Sequence, residues 1–135
     1  MKLSTKSEYA LLAMVDLAEK NAEGLVKIED LATRKKIPRK YLEQILLILN
    51  RAGYLRSKRG ADGGYALSKD PKKITVAEIV RLMDGALAPV GSVSTYFYEH
   101  TPLEQSKKVL KLFKEIRDYI AKKMEGTTLA DLTGK

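Results

Sequence analysis

Apolar residues recur at helical spacing along most of this chain, and in one place the pattern turns to alternation. Over "STKSEYALLAMVDLAEK", Tyr9, Leu12, Ala13, Val15, Asp16 and Leu17 mark an inward stripe that ends before Asn21 and Gly24. Ser4 or Thr5 can cap this first helix, with Glu8 placed like a capping-box partner. "LVKIEDLATRKK" predicts a short second helix from about Ile28, with Leu31 and Ala32 inward. Ile37-Pro38 then breaks the pattern, because proline suits a first helical position and disfavours helix in the residue before it. A third helix is predicted from Pro38 to about Ala52, where Leu42, Ile45, Leu46 and Leu49 fall at i, i+3, i+4 and i+7. Gly53 can stop it.

The alternation follows at once. "YLRSKRG" suits a strand through Tyr54, Leu55 and Ser57, "YALS" suits a second, and "ADGG" between them supplies an Asp-Gly turn. A short helix, a tight turn, an amphipathic helix with a polar N-terminal half and then a basic hairpin make a helix-turn-helix with a wing. The glycines are not a phosphate loop, since no G-x-x-x-x-G-K-[ST] follows a strand. After the wing, Thr75 can cap a helix with Val76, Ile79, Val80 and Met83 inward. "ALAPVGSVSTYFYEHTP" has no helical period and reads as a loop. From Leu103 to Met124 the stripe Val109, Leu112, Phe113, Ile116, Tyr119, Ile120 and Met124 marks one long helix, and "TTLADL" suits a terminal turn. A helix of roughly 30 Å outreaches a small domain, so its stripe suits a dimer interface better than a private core. The expected architecture is mainly α with a small β-hairpin wing: a winged helix-turn-helix plus a long C-terminal dimerisation helix. Its parts are a DNA-binding domain over 1–85, a sensor-type loop over 86–102, and the dimerisation helix and tail over 103–135.

Charge sharpens this picture. The chain of 135 residues carries a net +8, and nine Lys/Arg with a single acid, Glu43, lie between Arg34 and Arg59. The remaining sixteen bases and sixteen acids balance, so the excess sits in about a fifth of the chain. A concentrated basic face suits a polyanion such as nucleic acid, against the plainer reading of a solvated face. There is no apolar run of the roughly 20 residues a membrane span needs, and acids thread the N-terminal apolar positions, so neither a membrane segment nor a signal peptide is expected. The expected location is cytoplasmic. With no cysteine and one histidine, no nucleophile–base constellation presents itself, and an enzyme is not expected.

"LSTKSEYAL", "IPRKYLEQIL", "LRSKRGADGGYALS", "ITVAEIV", "GALAPV" and "TTLADL" together resemble the Rrf-two family of bacterial winged helix-turn-helix transcription regulators, over nearly the whole chain. The resemblance implies a homodimer on double-stranded DNA with a pseudo-palindromic operator, acting as a repressor. The third helix would lie in the major groove and the wing in the minor groove.

The candidate DNA-binding residues follow. Glu43 can accept from cytosine N4 and Gln44 can pair with adenine. Arg39 and Lys40 suit phosphate or guanine, and Tyr41 can pack on backbone or a thymine methyl. In similar proteins this stretch contacts bases, and the acidic position is linked to discrimination; the alternative for Glu43 is an intrahelical salt bridge to Lys40 or Lys36. In the wing, Arg59 can enter a narrow minor groove with Gly60 behind it. Gly63 and Gly64 allow close approach or simply serve the turn. Ser4, Thr5 and Tyr9 can donate to phosphates, as in similar proteins, or serve as cap and core. Pro38, Arg51, Lys58 and Tyr65 complete the set. A non-specific nucleic-acid or RNA-binding module remains the alternative from another class.

Many members of that family hold an iron–sulfur cluster through three cysteines in the loop before the long helix. Here Ser92 stands near the expected first cysteine, and neutral serine is a poor iron ligand. No cofactor is expected with this sequence; a cluster is open only to a cysteine-containing parent. Either this branch senses something else or a cysteine was removed from a natural sequence. A small-molecule or protein effector at the 91–102 loop is the expectation in the first case. Tyr96, Phe97 and Tyr98 can line a pocket, meet a partner or staple the loop to the long helix. His100 beside Glu99 and Glu104 can be read as a metal ligand or as a surface histidine.

Overall fold

The computed structural model describes residues 2–134. Its elements are α1 (Thr5–Glu19), α2 (Ile28–Lys35), α3 (Arg39–Arg51), β1 (Leu55–Lys58), β2 (Gly64–Leu67), α4 (Val76–Asp84) and α5 (Lys107–Glu125), joined by loops and short 3-10 turns. This is the winged helix-turn-helix expected, mainly helical with one hairpin.

One core is built from α1, the inner faces of α2 and α3, the root of the hairpin, and α4. Met14, Leu17, Leu31, Leu42, Ile45, Leu46, Leu49, Ile74 and Ile79 are all buried there. The inner face of α3 is the predicted stripe. On α1 the packing differs from expectation: Leu12 is 44% exposed, while Ala10, Ala13, Met14 and Ala18 are buried. Small side chains let neighbouring helices approach α1 closely, and a count of large apolar residues does not register that. Ser4 caps α1 by accepting from the Ser7 amide, which makes Thr5 the first helical residue. Glu8 falls one position beyond the capping-box place for that cap.

The turn between α2 and α3 needs Lys36 in the left-handed region at φ 54°. Ile37 is buried beneath it and Pro38 precedes the first residue of α3. In the hairpin Leu55 pairs with Leu67 and Lys58 with Gly64. Val26 joins β2 through an isolated antiparallel bridge, exchanging two 2.8 Å backbone bonds with Tyr65. A side chain at Gly63 would meet the Lys58 carbonyl oxygen at 2.0 Å, and one at Gly64 the Val26 carbonyl oxygen at 2.5 Å. Both glycines are therefore required by the hairpin's own packing.

Thr75 and Glu78 form a full capping box at the start of α4: the Glu78 amide donates to Thr75 Oγ1 and the Thr75 amide to the Glu78 carboxylate. The long helix starts four residues later than its stripe suggested. Pro102–Gln105 form a 3-10 turn, and Ser106 caps α5 by accepting from the Val109 amide. Beyond α5 the chain turns back. The Thr127 carbonyl accepts from Val76, the Leu129 amide donates to Ile74, and Leu129 is fully buried in the main core. The C-terminal tail thus completes the core that α1 to α4 share.

Candidate nucleic-acid interface

The outer face of α3 and the wing meet around one open groove of about 730 Å3. It is lined on one side by Leu47 and Asn50 of α3 and on the other by Lys58, Arg59, Gly60 and Gly63, with Lys27 to Glu29 at the start of α2 closing the third side. Asn50 Nδ2 donates to Ser57 Oγ at 3.2 Å and fixes the helix against the hairpin. Arg51, Lys58, Arg59 and Gly60 are exposed, as are Pro38, Arg39, Lys40, Tyr41, Glu43 and Gln44 at the N-terminal half of α3. The outer face of α3 and the wing thus share a groove at Leu47 and Asn50, and the predicted residues of the N-terminal half of α3 are exposed on the same helix.

Several of these residues have partners that a charge count does not reveal. Arg34 is not a free base, because its guanidinium pairs with the buried Asp16 carboxylate. Arg39 lies between two glutamates, its Nη2 3.0 Å from Glu29 and its Nε 3.5 Å from Glu43. The ion pair of Glu43 is thus made with Arg39, not with Lys40 or Lys36. Such an exposed pair contributes little to stability and exchanges readily for another partner. Tyr9 and Tyr41 touch edge to face, centroids 5.5 Å apart, tying the start of α3 to α1. Tyr65 is half-buried against the core and Gly63 is buried, so these two shape the wing from within.

The N-terminal group is also tied down. The Ser4 hydroxyl and amide both donate to the carboxylate of Asp84 at the end of α4. The Ser4 hydroxyl proton is therefore already spent, while the exposed Thr5 hydroxyl has no partner among the described residues. Burial pushes the Asp84 carboxyl up, but the two bonds from Ser4 outweigh it and hold the group below the ordinary aspartate value. Neither Asp84 nor Asp16 was singled out by sequence reasoning as a partner of these residues. At the foot of the wing, Tyr54 donates to Glu78 at 3.1 Å, and burial with that bond pushes its phenol up to about 12.

Residues 3–135 match the Rrf2 family, described as "Iron-dependent Transcriptional regulator". The HTH-type transcriptional regulator CymR of Bacillus subtilis is 36% identical over 132 residues, covering 98% of this chain and 89% of that protein. This chain belongs to the Rrf2 family. The solved structure of CymR, called the global cysteine regulator of B. subtilis, superposes with a TM-score of 0.79 at 35% identity, covering 98% of this chain and 95% of that one. That of IscR from T. potens gives 0.76 at 31% identity, covering 98% and 85%. Like its Rrf2 relatives the chain is a transcriptional regulator and not an enzyme. No helix among the described residues is long and apolar enough to cross a membrane.

The iron in that family description has no matching donor set in this Rrf2 chain. The sequence has no cysteine. In the loop before α5, Ser92 is buried with its Oγ 2.6 Å from Thr101 Oγ1, so the hydroxyls satisfy each other. No cluster of three His, Cys, Asp or Glu residues able to hold a metal occurs among the described residues. Glu104 instead gathers the Tyr98 hydroxyl and His100 Nδ1, and with Tyr98 the larger influence its carboxyl lies below the ordinary value. Arg117 of α5 donates to the Val93 carbonyl at 3.0 Å, and Arg81 stacks 5.0 Å over the Tyr96 ring. Tyr96, Phe97 and Tyr98 themselves remain exposed.

The predicted stripe of α5 divides in two. Val109, Leu112 and Tyr119 are exposed, the last two at 52% and 71%. Phe113, Ile116 and Ile120 are half-buried, and Met124 packs against the small cluster of Ala77, Val80 and Leu87 on α4 and the following loop.

Proposed function

We propose that this chain is a homodimeric, sequence-specific DNA-binding regulator acting as a repressor on a pseudo-palindromic operator. The recognition helix α3 enters the major groove and the wing reaches the adjacent minor groove. The observation that carries this reading is the groove shared by the outer face of α3, through Leu47 and Asn50, and the wing, through Lys58, Arg59 and Gly60, with Lys40, Glu43 and Gln44 exposed on the same helix. Lys40 and Arg59 supply phosphate and minor-groove charge, while Glu43 and Gln44 supply donor–acceptor selectivity. Glu43 is released for cytosine when Arg39 keeps Glu29 as its partner. Thr5 at the start of α1 and Tyr9 beside Tyr41 flank the same surface and suit the phosphate backbone.

The exposed Val109, Leu112 and Tyr119 support α5 as the dimer contact, since a monomer gains nothing by presenting them to water. A symmetric pair of reading heads requires a symmetric site. A dimer bound at such a site opposes promoter access simply by occupancy, which is repression. The residues of the 91–102 loop do not suit a cysteine-ligated cluster, so the regulator works without a cofactor. Its effector is a small molecule or a protein acting on the exposed Tyr96–Tyr98 segment.

Selection of bound duplexes from a random DNA pool, with purified protein and no added metal, tests the reading. An enriched inverted repeat is expected. A flat pool with steep salt dependence would replace it with a non-specific nucleic-acid or RNA-binding module.

A further inference from the structure

One residue on the outer face of α3 does not share the chemistry of its neighbours. Lys40, Gln44, Leu47 and Arg51 follow at intervals of four, three and four, a line along the helix opposite the buried Leu42, Ile45, Leu46 and Leu49. Three of the four are polar or charged. Leu47, in the middle, is apolar and 46% exposed. The core does not require it, and glutamine, lysine or glutamate would serve helix propensity as well. It lines one side of the groove whose opposite wall is Lys58, Arg59 and Gly60, in the most basic part of the molecule.

The major groove of DNA offers one apolar group to such a side chain, the C5 methyl of thymine. We infer that Leu47 is a specificity-determining residue that packs on a thymine methyl in each half-site. The inference rests on the DNA-binding reading above and adds to it a base contact that no hydrogen-bonding residue makes. Leu47 sits one turn beyond Glu43 and Gln44. A turn advances about 5.4 Å against about 3.4 Å per base pair, so the thymine lies within roughly two base pairs of those facing Gln44, toward the wing. Being exposed, Leu47 can be altered without opening a cavity.

The test uses the duplex enriched from the random pool, synthesised with deoxyuridine in place of each thymidine in turn, which removes only the methyl group. With the unaltered protein one position in each half-site is expected to lose roughly three- to fivefold in affinity, the worth of one buried methyl. Leu47→Ala is expected to bind the thymidine and deoxyuridine duplexes equally at that position, and Leu47→Met to restore the difference. If the unaltered protein tolerates every deoxyuridine, or if Leu47→Ala keeps the same penalty, the inference is overturned while the enriched site upholds the DNA reading. Failure to enrich any duplex would overturn both.

Discussion

The Arg34 guanidinium forks over the buried Asp16 carboxylate, with Nε 3.1 Å and Nη2 2.8 Å from its two oxygens. This pair joins α2 to α1 and sets the first half of the helix-turn-helix on the core. The bond to Asp16 holds the guanidinium above its ordinary value. Arg34→Ala leaves Asp16 buried with only Lys35 nearby, at 4.0 Å. It should cost about 2 kcal/mol, moderated because Arg34 is partly solvated. Urea denaturation checks this, and adding Asp16→Asn should recover part of the loss.

Arg39 bridges Glu29 and Glu43, so removing Glu43 leaves its partner still paired. Glu43→Ala should therefore leave the fold intact and act on DNA alone. The expected outcome is a broader base preference at one position per half-site, larger than any change in total affinity. Repeating the pool selection with the variant reads it directly; an unchanged preference would remove Glu43 from base reading.

Arg59 stands at the exposed tip of the hairpin with no ion-pair partner among the described residues. Arg59→Ala should weaken binding to all sequences alike and lower the slope of log affinity against log salt by about 1 per wing. Titration at several salt concentrations measures the slope.

Leu112 and Tyr119 are the most exposed apolar residues of α5. Leu112→Glu with Tyr119→Glu should give a folded monomer, seen as a halved mass by light scattering with an unchanged helical signal. Deleting the chain after His100 is the wrong test for this, because it also removes Leu129 from the core. A dimer that survives both charges would place the interface elsewhere.

The Asp84 carboxyl is depressed in the folded protein by Ser4. The folded state therefore binds its proton less readily than the unfolded chain. The stabilisation is complete above the unfolded value of about 4 and is lost as pH falls through the lower folded value. Asp84→Asn should be less stable than the parent near neutrality, and the two should converge in acid. Urea midpoints measured across that range check it; parallel curves would mean the clamp contributes nothing.

The parts of the fold that were legible in the sequence were those written in local signals. Pro38, the spacing from Leu42 to Leu49 and the Thr75 cap each specify an element within a few residues and stand where expected, and the hairpin forms where "ADGG" placed it, through a five-residue loop closed by the Gly63 amide on the Gly60 carbonyl. The parts that were not legible depend on distant partners. Nothing near Arg34 says that Asp16 waits under it on another helix. Nothing in "TTLADL" says that Leu129 belongs beside Ile74. The inward face of α1 was misjudged at Leu12 because side-chain size and burial part company where helices pack closely. The candidate site was legible as a list of exposed residues; that Ser4 and Arg39 are already engaged could come only from the packed chain.

The antiparallel contact of Thr75 with Thr128 closes everything between them into a ring. α4, the loop and α5 are its circumference, and the core that carries the recognition helix is its clasp. A ring has no free arm. The exposed face of α5 and the helix-turn-helix therefore cannot be cut apart into separately folded halves, and they should melt together in a single transition.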